Sequence, residues 1–270
     1  MLLKQYSHLK FFLAGLLLIF AGLGFFYERD VAGRLAWEYL RVPGLSLAIS
    51  NDDRDLKHTI ASYYFNGGVY DLGKARALYV ELVEVDPADK IALYQLARIY
   101  FVQGNTFEAL RLLDRNLELY PEWKQSHYIR GLVNVYRGNF AEAAQDFEAF
   151  IAWKPEGWGA YNDLAWAYLK AAKYNEAWEA AARGLENSPN NMWLNNTAGV
   201  ALWNSGDLVE AENRLLVAQE QSQLMSVERW RSAYLGNDPA TYEASLEAMR
   251  AAIQRNLDGV RAERVQEEGN

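Results

Sequence analysis

The chain contains no cysteine. That absence removes disulfides, thiolate-bound zinc, iron–sulfur clusters, thiol nucleophiles, covalently attached haem and an acylated-cysteine anchor together. Histidine is almost as scarce: His8, His58 and His127 stand far apart in a chain of 270 residues, so a histidine metal centre has no ligand set to draw on. Basic residues are outnumbered, 27 Lys and Arg against 35 Asp and Glu, for a net charge of −8. A nucleic-acid binder needs a basic stripe, so no nucleic-acid partner is expected. HExxH, GxSxG, GxGxxG and Gly-rich phosphate loops are all missing. With no nucleophile–base pair, acid pair or ligand cluster standing out, the chain reads as a non-enzyme with no cofactor and no metal.

Apolar residues are plentiful, at 51% hydrophobic and 14% aromatic, which offsets ordering entropy and excludes a disordered chain. They are concentrated first in residues 11–27, FFLAGLLLIFAGLGFFY, an uncharged run preceded by Lys4 and Lys10 and followed by Glu28, Arg29 and Asp30. As a helix this run spans roughly 25 Å, close to the ~30 Å hydrocarbon core, and Leu9 with a snorkelling Lys10 makes up the deficit. It reads as an uncleaved transmembrane anchor behind a basic tail, 1–10. The alternatives are a cleaved signal, whose apolar region is usually shorter and ends in small residues, and a buried core helix. The lysines on the N-terminal side hold that end in the cytoplasm. A single-pass membrane protein follows, with its main body extracytoplasmic, periplasmic in a Gram-negative cell. Ala14, Gly15, Ala21 and Gly22 offer a small-residue face for self-association. Residues 28–55 are a juxtamembrane linker, including an amphipathic helix over 28–41 with Val31, Leu35, Trp37 and Leu40, lying on the membrane or on the body.

Beyond residue 55 the chain repeats. Pro87, Pro121, Pro155 and Pro189 are spaced 34 apart, as are Ala75, Ala109, Ala143, Ala177 and Ala211, and a third column of small residues runs Ala97, Gly131, Ala165, Gly199. Segments 90–103 and 106–118 both carry apolar residues at helical spacing around a Gly104-Asn105 stop, which predicts a helical hairpin. The small columns mark where two helix axes approach closely, and the proline ends the second helix. One hairpin cannot bury its apolar face alone, so neighbours stack into a solenoid.

Through Leu96-Ala97, Tyr100, Ala109, Pro121 and again Leu164-Ala165, Tyr168, Ala177, Pro189, the sequence resembles the tetratricopeptide repeat family. The expected architecture is all-α: a right-handed α-solenoid over 56–223, with a degenerate first unit (56–87) and clear units at 90–121, 124–155, 158–189 and 192–223. Capping helices follow over 224–270. Asn237-Asp238-Pro239 starts a long helix with one apolar stripe, Tyr242, Leu246, Met249, Ile253, Leu257 and Val260. It covers the last repeat or projects outward to pair with a partner or another copy.

The family pattern implies a concave face lined by the first helix of each pair. Here that face would carry Tyr94, Arg98 and Phe101, then Tyr128 and Tyr136, then Asn162, Trp166 and Lys170, and finally Trp193, Asn196 and Trp203. Asparagine both donates and accepts, which suits the amides of an extended peptide, and tryptophan supplies broad anchor surfaces. The family's carboxylate clamp for chaperone tails does not carry over, because the comparable sites hold Tyr94, Arg98, Ile129, Gly159 and Asp163. The expected function is a non-enzymatic, membrane-tethered scaffold docking a protein or peptide partner, in cell-envelope assembly. Two other readings stay open: a structural subunit of a membrane complex using its convex face and C-terminal helix, and a glycan or small-ligand binder using the groove tryptophans. Homo-oligomers through the transmembrane or C-terminal helix are a further expectation.

Overall fold

The computed structural model describes residues 29–66, 69–233 and 237–268. Their regular structure is helical throughout, and the chain forms two compact units, Met1–Ala92 and Leu93–Asn270.

In the first unit, α1 (Arg29–Leu35) runs on as one π-helical turn, Ala36–Leu40, and α2 (Pro43–Ile49) begins on the proline, whose fixed φ suits a first turn. These precede a helical pair, α3 (Arg54–Asn66) and α4 (Leu72–Val85). Trp37 is buried and meets Tyr63 of α3 edge-on at 4.9 Å, so the helix predicted over 28–41 lies on the first pair. Arg34 holds the buried Asp53 through two hydrogen bonds, at 2.5 and 2.9 Å. Asp89 is paired with both Arg54 and His58.

The second unit is built on α5 (Lys90–Val102), α6 (Thr106–Leu119), α7 (Gln125–Arg137), α8 (Phe140–Trp153), α9 (Trp158–Lys170), α10 (Tyr174–Asn187), α11 (Met192–Asn204) and α12 (Leu208–Gln223). The small-residue columns sit at the helix crossings. Ala97, Ala109, Ala143, Ala165, Ala177 and Ala211 are fully buried. A Cβ on Gly131 would stand 2.7 Å from the Phe147 ring, and one on Gly199 would stand 2.6 Å from Leu215. Tight packing at these crossings leaves no room for a larger side chain. Between the helices of each pair the chain reverses through a left-handed residue: Gly104 at φ 78°, Gly138 at 83° and Gly206 at 91°. In the third pair Ala172 takes that place, at φ 55°.

Contacts between successive pairs have a fixed register. Tyr128 bonds Asp163, Arg183 bonds Glu148 and Thr197 bonds Asn162, each pair 35 residues apart. The interior holds one dense polar cluster: Asp146 on α8, 3% exposed, accepts from Arg130 at 2.8 and 2.9 Å and lies 2.8 Å from His127 Nδ1, all within one helical pair.

The C-terminal segment closes the second unit through α13 (Val227–Ala233), a 3₁₀ turn at Pro239–Thr241 and α14 (Tyr242–Glu268). Asp238 caps that turn, accepting from the Ala240 amide at 2.9 Å. Tyr242, Leu246, Ile253, Leu257 and Val260 are buried, so the apolar stripe is consumed within the chain, with Leu257 and Val260 packed on Leu208, Ala211 and Leu215. Arg250 donates to the carbonyls of Ser222 and Met225, satisfying the end of α12.

One expectation is corrected. Among the described residues no helix is long and apolar enough to cross a membrane. The segment read as an anchor, 11–27, and the tail before it lie outside the described residues, as does Gly67-Gly68 in the first turn. The single-pass membrane location drawn from residues 11–27 is therefore withdrawn.

Candidate functional site

The first helices α5, α7 and α9 place an aromatic row on one face because residues about one turn apart share a helix side. Phe101 meets Tyr136 edge-on at 5.2 Å, and Tyr136 meets Trp166 at 6.3 Å. Tyr136, 70% exposed, stands between two half-buried neighbours. Lys170, one turn beyond Trp166, sets its ammonium 5.3 Å over the indole, a cation–π arrangement. Further along α5, Arg98 lies over the Tyr94 ring at 5.8 Å and donates to Gln95 at 2.7 Å, while Tyr94 meets Trp123 edge-on. Burial pushes the Tyr94 phenol above its ordinary pKa.

Tyr128 and Asn162 sit lower on the same helices. The Tyr128 ring packs on Phe150 and Phe147, and its hydroxyl donates to Asp163 at 2.6 Å. Asn162 accepts from Thr197 at 2.9 Å and donates weakly to Asp163 at 3.3 Å. Desolvation raises the Asp163 pKa to about 6, against the lowering effect of Tyr128 and Asn162. Sequence reasoning passed over Asp163 as a site residue. The signal was present in the repeat register, where its column reads Gln95, Ile129, Asp163, Thr197 and only one member is charged.

The last three predicted groove residues are placed differently. Trp193 is 8% exposed and stacked between Trp158, at 4.6 Å, and Trp230, at 5.5 Å. Its remaining edge borders a cleft of about 470 Å³ between the starts of α9 and α11 and helix α13. Asn196 accepts from Asn256 of α14 at 3.0 Å. Trp203 donates to Glu263 of α14 at 2.6 Å, and its ring lies on the bare backbone of Gly259. These side chains are engaged by the C-terminal segment, 37 to 60 residues away in sequence, a relationship that no local pattern encodes.

Stacked helical pairs with small residues at their crossings, and a row of aromatic side chains along their first helices, define a helical-repeat protein. A tetratricopeptide repeat family model matches residues 71–122 and 128–192, and the repeats of those segments are similar to tetratricopeptide repeats. It is 28% identical over 132 residues to the tetratricopeptide repeat and J domain-containing co-chaperone DNJ1 of Cryptococcus neoformans, covering 44% of this chain and 25% of that protein. The match thus spans a quarter of the relative's length. Among solved structures, the fold is similar to MamA 41-end from Desulfovibrio magneticus RS-1, with a TM-score of 0.59, 20% identity, and coverage of 65% of this chain and 98% of that one. A further crystal structure of MamA gives 0.55 at 22% identity over 64% and 96% of the two chains. At these identities the likeness is one of fold.

Proposed function

We propose that this protein is a non-enzymatic scaffold that docks an extended segment of a protein partner across the first helices of its repeats, on the face carrying Tyr94, Arg98, Phe101, Tyr128, Tyr136, Asn162, Trp166 and Lys170. The observation that carries the reading is the continuous row Phe101–Tyr136–Trp166, three repeats long, with the exposed Tyr136 at its centre. Rigid aromatic side chains give large contact area for little conformational entropy, which makes them the usual anchors of protein interfaces. The hydrogen-bonding groups beside the row, Asn162, Tyr128 and Arg98, supply the polar complement an extended backbone needs. Repeat stacking supports this use, because each added pair lengthens the face without altering the core.

The test is in-cell crosslinking from a photoreactive residue at Tyr136 or Trp166, with Glu176 on α10 as the off-face control. Capture of a defined protein partner from Tyr136 and Trp166, and not from Glu176, is the expected result. Capture from Glu176 alone makes the protein a fixed subunit held by its outer face, and the docking reading falls.

A further inference from the structure

The aromatic face contains a carboxylate, Asp163, that no cation pairs with among the described residues. Asp163, Trp166 and Lys170 follow one another at three- and four-residue spacing on α9, so carboxylate, indole and ammonium form a single stripe. Asp163 is half-buried and receives hydrogen bonds only from neutral donors, the Tyr128 hydroxyl and the Asn162 amide. Lys170 is two turns away, about 10 Å along the helix axis, and does not pair with it.

The other buried carboxylates are treated differently. Asp53 is held by Arg34, Asp89 by Arg54 and His58, and Asp146 by Arg130 and His127. Glu212, also largely covered, meets Arg261 and Arg264. A carboxylate taken from water without a cation loses solvation that neutral hydrogen bonds replace only in part. Among these acids Asp163 has no such cation within the described residues.

Space is left beside Asp163 at Gly159. Gly159 lies one turn earlier on the same side of α9, and a Cβ there would meet nothing within 4 Å except the Tyr128 hydroxyl, at 3.6 Å. The neighbouring Trp166 ring already takes one cation on its face, that of Lys170.

We infer that Asp163, oriented by Tyr128, is the recognition point for a lysine or arginine side chain of the docked segment, admitted over Gly159. This deepens the docking reading and rests on it. The entering cation forms a charge-assisted hydrogen bond to Oδ1, the carboxylate oxygen that otherwise accepts only the 3.3 Å bond from Asn162, in a setting drier than bulk water. The partner is thus an extended peptide with a basic residue placed beside its aromatic-binding portion.

The full-length protein is titrated against fluorescent pools of short peptides, randomised except for a central residue fixed as lysine, arginine, norleucine or glutamate. The lysine and arginine pools are expected to bind about tenfold tighter than the norleucine pool. Asp163→Asn should erase that advantage, while Trp166→Ala weakens every pool alike. Tyr128→Phe, which removes the donor that orients the carboxylate and favours its charged form, should narrow the lysine advantage and is the second variant. An absent basic preference, one that survives Asp163→Asn, or one that Tyr128→Phe leaves unchanged or widens overturns the inference and leaves the docking reading standing. If no pool binds, the docking reading itself fails.

Discussion

Trp203 and Gly259 form a matched pair: the six-membered ring of the α11 indole abuts the one position of α14 that has no side chain, while its N–H reaches Glu263 at 2.6 Å. The missing Cβ is what lets the last helix close on the repeats. Gly259→Ala gains roughly 1 kcal/mol of intrinsic helix propensity but must displace the ring. The expected net result is a loss of about 1–2 kcal/mol in urea unfolding. In a Trp203→Ala background the same substitution should become neutral or stabilising. Additive effects of the two changes would mean that ring and glycine are not coupled.

Ala172 occupies the left-handed turn position filled by glycine in the pairs before and after it. A side chain in that conformation costs about 1 kcal/mol or more. Ala172→Gly should therefore raise stability by about 0.5–1 kcal/mol, even though glycine is ordinarily the destabilising choice. Ala171→Gly, at φ −84°, is the control and should not stabilise. Equal melting shifts for the two variants would remove the strain argument.

Asp146 and Glu148 lie two residues apart on α8 and make opposite use of an arginine. Asp146 is buried with Arg130 and His127, whereas Glu148 and Arg183 pair at the surface. Asp146→Ala takes the buried carboxylate from Arg130 and leaves the hydrogen bonds of Arg130 and His127 unmade, and should cost about 3 kcal/mol. Glu148→Ala should cost under about 1 kcal/mol. Denaturant midpoints that fall equally would contradict the burial difference.

The raised pKa of Asp163 sets a pH signature. Its folded value, about 6, lies above the unfolded value near 3.8, so the folded state binds the extra proton between these values. The resulting penalty is absent below about pH 4, grows as the pH rises and is complete above about pH 6. Asp163→Asn should be more stable than the parent at pH 7.5, by about 1–3 kcal/mol, with the difference fading by pH 4. A stability difference independent of pH would rule this out.

The repeats were legible because their packing is local. Gly131 meets Phe147 and Gly199 meets Leu215 and Ala211, partners 12 to 16 residues away, so a crossing leaves its mark within one period of the sequence. Ala172 could have been read the same way, from Gly104, Gly138 and Gly206 in its column. Trp203 and Asn196 could not. They occupy groove positions in the repeat pattern, and their engagement by Glu263 and Asn256 arises from how the C-terminal helix is laid across the last pair. A stripe of apolar residues announces that a helix will be buried and leaves open which polar side chains it covers. Asp163 fell between these cases: its charge was visible in its column, but the lack of a neighbouring cation is a property of three dimensions.

The stacked indoles of Trp158, Trp193 and Trp230 come from the starts of two successive repeats and from the short helix that precedes the closing one. Rings held at 4.6 and 5.5 Å and nearly parallel share their electronic transitions, so their absorbance dichroism and emission belong to the trio and not to any one residue. The molecule thus carries an intrinsic optical gauge of its own closure: lifting the C-terminal segment would split the trio and change its spectrum with no label attached.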